Sequence, residues 1–458
     1  MTPLAHEEKT DILEEITTLL DRRKVRTARS KLVVLLDPDI ADLLSEMTAE
    51  QRLMAFNLLP TDDATEVFSL LNTDLQEEII SNLKGLRLKN LINEMEPDDR
   101  AVMLEELPDE YLERLLSIIQ PEERAETEKI LSYPAESVGR ILTPSYIDVR
   151  PDWSIQQALN HIREYGADAE IINIIYVTDD QERFVDFIFL RELILANPDA
   201  KVESLLEGNY VSLNVTDDQE EAVVTMGRYD LPALPVVDDD NRLVGIVTFD
   251  DVADVAADEV TEDFQKGGAV APLEISYREA SIWALFQKRI GWLFILIFVN
   301  LVSSGVIAAY EETLASVISL AFFIPLLIAS GGNAGSQSAI LLVRAIATGD
   351  VKLTQWFSII SKEILVGLVL GLVLGLGSYF LGIFRGGPAI GVIVGLSMVA
   401  IVFVSNIIGA VLPFVLTRAN IDPAVAGSPL ITSIADSVGL LIYFSIATAV
   451  LSGAIPFP

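Results

Sequence analysis

Composition divides the chain into two different materials. Among 458 residues there is no cysteine, which excludes disulfides and thiolate metal sites, and the only histidines are His6 and His161, which argues against a histidine-based zinc or catalytic centre. Residues 1–276 carry a net charge of −36, whereas residues 277–458 carry +1. An acidic soluble part followed by an apolar membrane part is therefore predicted. Because so negative a surface repels nucleic acid and attracts cations, no nucleic-acid partner is expected.

Residues 1–134 are predicted to form an acidic, all-α superhelical domain. The first residues lack a basic and then apolar run, so no signal peptide is expected. Apolar stripes then alternate with acidic turns in which Asp, Thr or Pro would start a helix. Helices this short cannot bury their apolar faces alone and are expected to stack. The turns recur at short intervals, at 35–39, 58–63, 71–74, 95–99 and 107–110.

Residues 138–198 and 202–258 repeat each other. Each copy reads as an amphipathic helix (155–165 and 219–229), a strand, a polar turn, a second strand and a helix. The pattern resembles a tandem pair of CBS domains, here assigned to residues 135–200 and 201–258. The segment 245–251, Gly-Ile-Val-Thr-Phe-Asp-Asp, fits the closing motif of that family, whereas Asp186 replaces the usual glycine in the first copy. Some CBS pairs bind adenine nucleotides, so ATP at this pair, near Arg191 and Glu192, is left open.

A connecting helix is predicted over residues 259–287. In the acidic stretch that leads into it, Asp251, Asp254, Asp258 and Glu262 fall on one helical face. Either this face is solvated, or it meets other carboxylates with divalent cations between them. Carboxylate clusters provide hard oxygen ligands, which suit Mg²⁺ or Ca²⁺.

The last part of the chain, 288–458, is predicted to form a transmembrane domain of five helices. Five apolar runs, at 291–309, 314–343, 356–384, 391–416 and 425–455, are each long enough to span a bilayer. With the N-terminus cytoplasmic and the C-terminus outside the plasma membrane, Arg385 alone would flank the outer side. The inner flanks would then carry Arg278, Lys288, Arg289, Arg344, Lys352, Lys362 and Arg418.

Asp436 is the only charged residue after Asp422. A carboxylate near a helix centre costs about 2.5–3.5 kcal/mol on insertion scales, so such a residue is by default functional and meets a cation or proton. If its helix starts near residue 425, Asp436 lies roughly 16 Å along it. The alternative is a structural aspartate that hydrogen-bonds to a neighbouring helix.

Small polar residues within the apolar runs predict a lined path, because irregular polar backbone at membrane depth is tolerated only inside protein or facing water. The alternative is a packed cluster of interhelical hydrogen bonds. The candidate pore-lining residues come from the second, fourth and fifth runs and are Asn333, Ser336, Gln337, Asn406, Ser428, Thr432 and Ser433.

The domain order, with Gly-Gly-Asn-Ala-Gly-Ser-Gln at 331–337 and the segment 427–436, closely resembles the MgtE family of Mg²⁺ channels and transporters. The resemblance implies a homodimer whose pore lies between subunits, with Asp436 holding a hydrated Mg²⁺. It also implies that carboxylates on the soluble domains sense Mg²⁺. The matching positions are Asp98 and Asp99 in the first domain and Asp218, Glu220, Asp230, Asp251, Asp254, Glu259 and Glu262 further along.

The function expected from this resemblance is Mg²⁺ uptake through a channel or transporter that cytosolic Mg²⁺ closes by negative feedback. Transport of another divalent cation, such as Co²⁺, Mn²⁺ or Ca²⁺, and a membrane Mg²⁺ sensor without transport remain alternatives. A membrane enzyme is disfavoured, because nucleophile and acid–base groups would have to meet in a segment without Cys or His.

Overall fold

The structure is a computed structural model that describes residues 6–208, 210–273, 277 and 280–453, without the side chains of residues 6, 7, 106, 109 and 110. Arg278, one of the predicted basic flanks, lies outside the described residues. The chain forms two compact units, Met1–Val255 and Ala256–Pro458.

Within the described residues, the first unit begins with ten α-helices, of which the first nine surround one apolar core that extends from Ile16 to Ile119. All five predicted acidic turns lead into a helix, because their Asp, Thr, Asn and Pro residues occupy cap and first-turn positions. The helices are α1 His6–Asp21, α2 Val25–Leu32, α3 Asp37–Glu46, α4 Ala49–Phe56, α5 Thr61–Ser69, α6 Thr73–Asn82, α7 Leu86–Glu94, α8 Pro97–Glu106, α9 Asp109–Leu116 and α10 Pro121–Leu131.

These helices follow a repeat of constant length, which is more regular than the predicted spacing. A buried apolar residue before an N-cap recurs at Met47, Leu71, Met95 and Ile119. The N-cap residues that follow are Thr48, Asn72, Glu96 and Gln120. Thr48 and Asn72 cap with their side chains, whereas Glu96 makes no such bond. The third repeat therefore has a carboxylate where the first two have a helix cap.

The CBS pair has the predicted order of elements. Each copy forms a three-stranded sheet in which the first strand pairs parallel and the third antiparallel with the middle strand. Arg183 and Arg242, aligned by sequence, form a β-bridge between the copies. The first copy contains β1 Asp148–Val149, α11 Ile155–Tyr165, β2 Ile174–Thr178, β3 Phe184–Phe189 and α12 Leu190–Leu195. The second contains β4 Leu213–Asn214, α13 Gln219–Tyr229, β5 Ala233–Val237, β6 Leu243–Thr248 and α14 Phe249–Gly267.

Asp186, which departs from the CBS pattern, has a structural role. At the equivalent position, a Cβ on Gly245 would lie 2.8 Å from the carbonyl oxygen of Thr143, so only glycine fits there. Asp186 is buried, and its carboxylate accepts hydrogen bonds from the backbone N–H groups of Phe187, Glu207 and Gly208. The carboxylate of Asp186 thus accepts from loop N–H groups, whereas a side chain at Gly245 would clash with the backbone.

In the described part of the second unit, five helical segments are long and apolar enough to cross a membrane, as predicted: Ile282–Ala309, Ile318–Ala347, Leu353–Gly386, Pro388–Arg418 and Ser428–Leu451. Glycines of the third span pack closely on the fourth, since a Cβ on Gly371 would lie 2.8 Å from the carbonyl oxygen of Val399. The α-helices are α15 Ile282–Ala309, α16 Glu311–Ser316, α17 Ile324–Ala347, α18 Trp356–Gly386, α19 Pro388–Arg418 and α20 Ser428–Leu451.

Two boundaries differ from the prediction. The connecting helix is α14, which starts at Phe249 and ends at Gly267, whereas α15 does not begin until Ile282. Helix α20 begins at Ser428 because Pro423–Val425 forms a separate 3-10 turn that Asp422 caps through the N–H of Ala424. Asp436 is therefore the ninth residue of α20, about 12 Å from its start.

Candidate cation sites

Helices α17 and α20 bring three of the predicted pore-lining residues together. The hydroxyl oxygens of Ser336 and Ser428 lie 3.1 Å apart, and those of Ser336 and Thr432 lie 3.4 Å apart. The helices approach this closely because a Cβ on Gly332 would lie only 2.8 Å from a methyl carbon of Thr432. Ser336, Ser428 and Thr432 thus form one polar contact between the second and fifth spans.

The other predicted residues of these two spans differ in exposure. Asn333 and Gln337 are exposed and lie one turn apart on one face of α17. Ser433 is buried, and its hydroxyl donates to the carbonyl oxygen of Pro429 at 2.9 Å. Ser437, which was not predicted, bonds across to Ser303 of α15 at 2.8 Å.

Asp436 is half-buried, and its Oδ1 atom is buried without a hydrogen-bond partner among the described residues. Buried acceptors in native structures almost always have a donor, and an exception calls for an explanation such as a bound ion. A structural aspartate tied to a neighbouring helix would show such a donor. The geometry therefore favours the interpretation of Asp436 as a ligand.

Asn406, predicted to line the pore, is instead enclosed between helices. It is buried in α19, and its Nδ2 donates to the carbonyl oxygen of Glu363 at 2.8 Å and to Oε2 of Glu363 at 2.9 Å. Ser338 of α17 donates to the same Oε2 at 3.0 Å. Asn406 thus joins helices, in agreement with the alternative of an interhelical cluster.

Glu363 is a carboxylate within the third span that sequence reasoning missed. It lies on the same face of α18 as the buried Gly367 and Gly371, which pack on α19. The signal was present in the sequence, since residue 363 falls inside the apolar run 356–384. The neighbouring Lys362 made this segment look like a basic flank of the membrane.

The first unit contains a separate cluster of acidic residues around the start of α8. Burial raises the pKa of Asp98 well above its ordinary value, and the negative charges of Asp251 and Asp99 raise it further. Burial also raises the pKa of Asp251 to about 6, although the hydroxyl of Thr248 opposes the shift. Burial likewise raises the pKa of Asp99. Asp98, Asp99 and Asp251, all predicted, are therefore neighbours, with Asp254 acting on Asp99.

Glu96 and Glu170 complete this cluster and were not predicted. Burial raises the pKa of both side chains, and the repulsion between Glu96 and Glu170 raises that of Glu96 further. The two carboxyl groups lie close enough together for one to hydrogen-bond to the other when either carries a proton. Glu66 is a further acidic neighbour of this group. No sequence pattern marks Glu170, because it lies in an irregular loop between α11 and β2.

Asp98 has a second property that points to a ligand. Its side chain is 5% exposed, and its Oδ1 is buried without a hydrogen-bond partner in the described part of the chain. Within that same part, no group of three or more His, Cys, Asp or Glu side chains is arranged to hold a metal ion. The cluster thus concentrates negative charge without forming a cage of metal ligands.

The remaining predicted ligands are more dispersed. Asp218 caps α13 by accepting a hydrogen bond from the N–H of Glu220, and Asp230 ends the same helix in a left-handed conformation, so the two aspartates lie about 18 Å apart along it. Glu262 forms an ion pair with Lys266 at 2.8 Å, and Glu259 lies half-buried on the same helix.

The end of α14 packs against the start of α20. Lys266 forms an ion pair with Asp422 at 2.6 Å, and hydrogen bonds to Asp422 and Glu262 raise the pKa of Lys266 although burial alone would lower it. A Cβ on Gly427 would lie 2.4 Å from the carbonyl oxygen of Gly267, so the two backbones touch. A cavity of about 460 Å³ adjoins this contact, and Asp263 and Arg344 are its charged lining residues.

Together these features define a membrane transport protein with an acidic helical domain and a CBS pair. Family models match along the chain: the MgtE divalent cation transporter at residues 324–446, the MgtE intracellular N domain at 37–136, and CBS domains at 138–199 and 202–258. The magnesium transporter MgtE of Thermus thermophilus is 39% identical over 94% of this chain and 97% of its own length. That of Bacillus subtilis is 32% identical over 96% and 97%. The chain belongs to the MgtE family.

A solved structure gives the same result for the soluble part. The cytosolic domain of the Mg²⁺ channel MgtE in complex with ATP is 35% identical, with a TM-score of 0.52, and covers 53% of this chain and 99% of its own. The soluble part of a magnesium transporter, at 26% identity and a TM-score of 0.51, covers 55% and 99%.

Proposed function

We propose that this protein carries Mg²⁺ across the plasma membrane into the cytoplasm as a homodimer, with its N-terminus cytoplasmic and its C-terminus outside. The observation that carries the proposal is the buried Oδ1 of Asp436, which has no hydrogen-bond partner among the described residues, in a helix whose first turn holds the Ser428–Ser336 contact. Relatives that share almost the whole length of the chain are magnesium transporters by name, which supports Mg²⁺ as the cation.

The proposed chemistry follows from the reluctance of Mg²⁺ to lose water. Mg²⁺ keeps several of its waters and is held through one or two carboxylates. Two copies of Asp436 in a homodimer would supply that charge, and serine and threonine hydroxyls would accept hydrogen bonds from the retained waters. The membrane potential contributes about 2.3 kcal/mol per elementary charge per 100 mV, which drives a divalent cation inward.

The test is Mg²⁺ flux into liposomes that contain the wild type, Asp436→Asn or Glu363→Gln. Asp436→Asn removes the charge and should reduce flux to the level of protein-free liposomes. Glu363→Gln is the matched control, because it removes the other membrane carboxylate while its amide oxygen still accepts from Asn406 and Ser338. Undiminished flux through Asp436→Asn would exclude the proposed site.

Regulation by cytosolic Mg²⁺ is the second part of the proposal. Mg²⁺ would bind the acidic cluster at Asp98, Asp99, Asp251 and Asp254, with Asp218, Glu220, Asp230, Glu259 and Glu262 as further ligands, and would close the pore. A ligand shifts such an equilibrium only if it binds the closed state more tightly. Helix α14 supports this coupling, because it carries Asp251 near its start, and its end touches Gly427 at the start of α20.

Limited proteolysis tests this regulation directly. Residues 249–281, which comprise α14 and the segment after it, should be cleaved more slowly in millimolar Mg²⁺ than in EDTA. Asp98→Asn together with Asp251→Asn should abolish the difference, whereas Asp436→Asn should preserve it. Equal cleavage of the wild type with and without Mg²⁺ would contradict the proposed regulation. It would not contradict the proposed transport.

Two alternatives make different predictions. Transport of Co²⁺, Mn²⁺ or Ca²⁺ predicts that these ions carry flux as well as Mg²⁺ does, and a non-transporting sensor predicts binding without flux. ATP binding at the CBS pair is favoured by the ATP complex of the relative's cytosolic domain. A cavity of about 460 Å³ in the first copy is lined by Asn173, Leu190, Ile194 and by Arg191, which lies over the ring of Phe189. A titration with ATP that shows no saturable binding would exclude this ligand.

A further inference from the structure

Arg100 is the largest fully buried side chain among the described residues and lies directly after the acidic turn 96–99. Every N–H group of its guanidinium has an acceptor. Nη1 donates to the carbonyl oxygens of Ile92 at 3.3 Å and Met95 at 3.1 Å. The other donors reach α10, where they bond to the hydroxyl of Thr127 and to the carboxylate and carbonyl oxygens of Glu123.

The same arrangement recurs at the equivalent positions of the two earlier repeats, Arg52 and Gln76. Arg52 donates to the carbonyl oxygens of Leu44 at 2.9 Å and Met47 at 2.7 Å and forms an ion pair with Glu78 at 2.6 Å. Gln76 keeps one of these bonds, to the carbonyl oxygen of Phe68 at 3.0 Å. In each repeat the side chain ties its own helix to the carbonyl oxygen eight residues earlier, at the end of the preceding helix.

The third repeat differs in what this bond supports. Met95, whose carbonyl oxygen Arg100 holds, is followed directly by Glu96, Pro97, Asp98 and Asp99. Among the described residues Arg100 forms its ion pair with Glu123, at 2.9 Å, and none with Glu96, Asp98 or Asp99. Arg100 therefore fixes the backbone of the acidic turn without neutralising its carboxylates, which leaves their charge available to another cation.

From this geometry we infer that Arg100 is the positioning residue of the regulatory Mg²⁺ site: it holds the turn at Met95 so that Asp98 and Asp99 face Asp251. This inference rests on the proposed regulation by Mg²⁺ and adds the residue that shapes the site. Arg100 does not touch the cation, and it acts through the Met95 carbonyl and the link to α10.

The test compares Arg100→Gln with Arg52→Gln in the full-length protein. Gln76 shows that a glutamine at this place in the repeat retains the bond eight residues back, so both variants are expected to fold. Each loses the second carbonyl bond and the ion pair, and Arg100→Gln also loses the bonds to the Thr127 hydroxyl and the Glu123 carbonyl oxygen. They differ in that only Arg100 borders the acidic turn 96–99.

Two quantities are measured for each variant: the temperature of thermal unfolding, and the Mg²⁺ concentration that half-protects residues 249–281 from proteolysis. Both variants should unfold at lower temperature. Arg100→Gln should raise the half-protecting Mg²⁺ concentration by about 10-fold, as loss of a residue that supports metal ligands does. Arg52→Gln should leave that concentration at the wild-type value. Arg100→Lys, which keeps the charge but not the planar fork, should also raise it.

The outcomes separate the two proposals. If the wild type shows no protection by Mg²⁺, the regulatory site itself is wrong. If the wild type is protected and Arg100→Gln and Arg100→Lys have the wild-type half-protecting concentration, Arg100 has only a structural role. An equal rise in Arg52→Gln and Arg100→Gln would also overturn the inference, because the effect would then follow from lost stability alone.

Discussion

The two units of the molecule treat carboxylates in opposite ways. The first crowds them: Asp98, Asp99, Asp251, Glu96 and Glu170 are partly or fully buried and raise one another's pKa values. The second isolates them: Asp436 and Glu363 are each the single carboxylate of an apolar helix. Crowding makes the energy of each charged carboxylate depend on how closely its neighbours approach. Isolation leaves each charge held in place by one helix.

The two membrane carboxylates also differ from each other. Glu363 accepts hydrogen bonds from two buried side chains on neighbouring helices, whereas Oδ1 of Asp436 accepts none from the described residues. A satisfied buried carboxylate holds helices together, and an unsatisfied one is free to bind. The two carboxylates thus differ in hydrogen-bond satisfaction, and the proposed ligand role of Asp436 rests on that difference.

The largest expected effect tests this difference within the membrane unit. Glu363→Ala leaves the hydroxyl of Ser338 without this acceptor and removes one of the two bonds of Asn406, which keeps its bond to the backbone carbonyl oxygen of residue 363. It should lower the free energy of unfolding by about 2–4 kcal/mol. Asp436→Asn removes an uncompensated charge and should instead raise the thermal unfolding temperature while it abolishes flux. Thermal unfolding of purified protein in detergent measures both, and destabilisation by Asp436→Asn would show that this aspartate has a structural bond.

A somewhat smaller effect is expected where α14 meets α20. Gly427→Ala places a Cβ within 2.4 Å of the carbonyl oxygen of Gly267 and should cost about 1–3 kcal/mol through displacement of the helix end. Proteolysis of residues 249–281 should then be faster at every Mg²⁺ concentration. Gly305→Ala, at a position where a Cβ meets no atom within 4 Å, is the control and should behave as the wild type.

The crowded site should respond to loss of one charge with a gain in stability. Asp98→Asn keeps the shape of a buried side chain whose carboxylate is repelled by Asp251 and Asp99, and should stabilise the Mg²⁺-free protein by on the order of 1 kcal/mol. In saturating Mg²⁺ the advantage should disappear or reverse, because the wild type then gains binding energy that the variant lacks. Chemical denaturation in EDTA and in Mg²⁺ measures both free energies.

The smallest expected effect is on pH dependence. The pKa of Asp251 rises from 3.8 to about 6 on folding, so the folded state holds its proton where the unfolded state has lost it. Stability without Mg²⁺ should therefore fall as pH rises above about 4, and the fall should continue to about pH 8 because burial raises the pKa of Glu96 to about 8. Asp251→Asn should flatten this fall. Thermal unfolding in EDTA across this range is the measurement, and a stability that rises with pH would contradict the burial of these groups.

Local features of the fold were predictable, because helix caps and apolar periodicity depend only on residues close together in the sequence. The bounds of α11 and α13 agree with the sequence, and all five acidic turns start helices. The start of α20 was misplaced because the 3-10 turn at Pro423–Val425 depends on a single capping side chain. The connecting helix was predicted too late in the chain, at 259–287, because α14 continues without interruption from the CBS motif at Phe249.

The residues that belong to each candidate site were harder to predict, because they come together through contacts between segments distant in sequence. Asp98 and Asp251 were found through family motifs, but Glu170 joins them only once the loop after α11 folds beside α8. Asn406 carried the same polar signal as Ser336, yet it hydrogen-bonds to Glu363. A sequence shows that a polar residue lies in an apolar helix, whereas its partners decide whether it lines a path.

The junction of α18 and α19 also bears on how the protein is made. These two helices of 31 residues each are separated by Gly387 alone, whose φ of 86° is open to glycine, and Pro388 begins the second helix at once. Because the turn is one residue long, α19 follows α18 during synthesis without an intervening linker. We expect the pair to enter the bilayer together, as a prefolded antiparallel unit, and a long linker inserted after Gly387 to uncouple their integration.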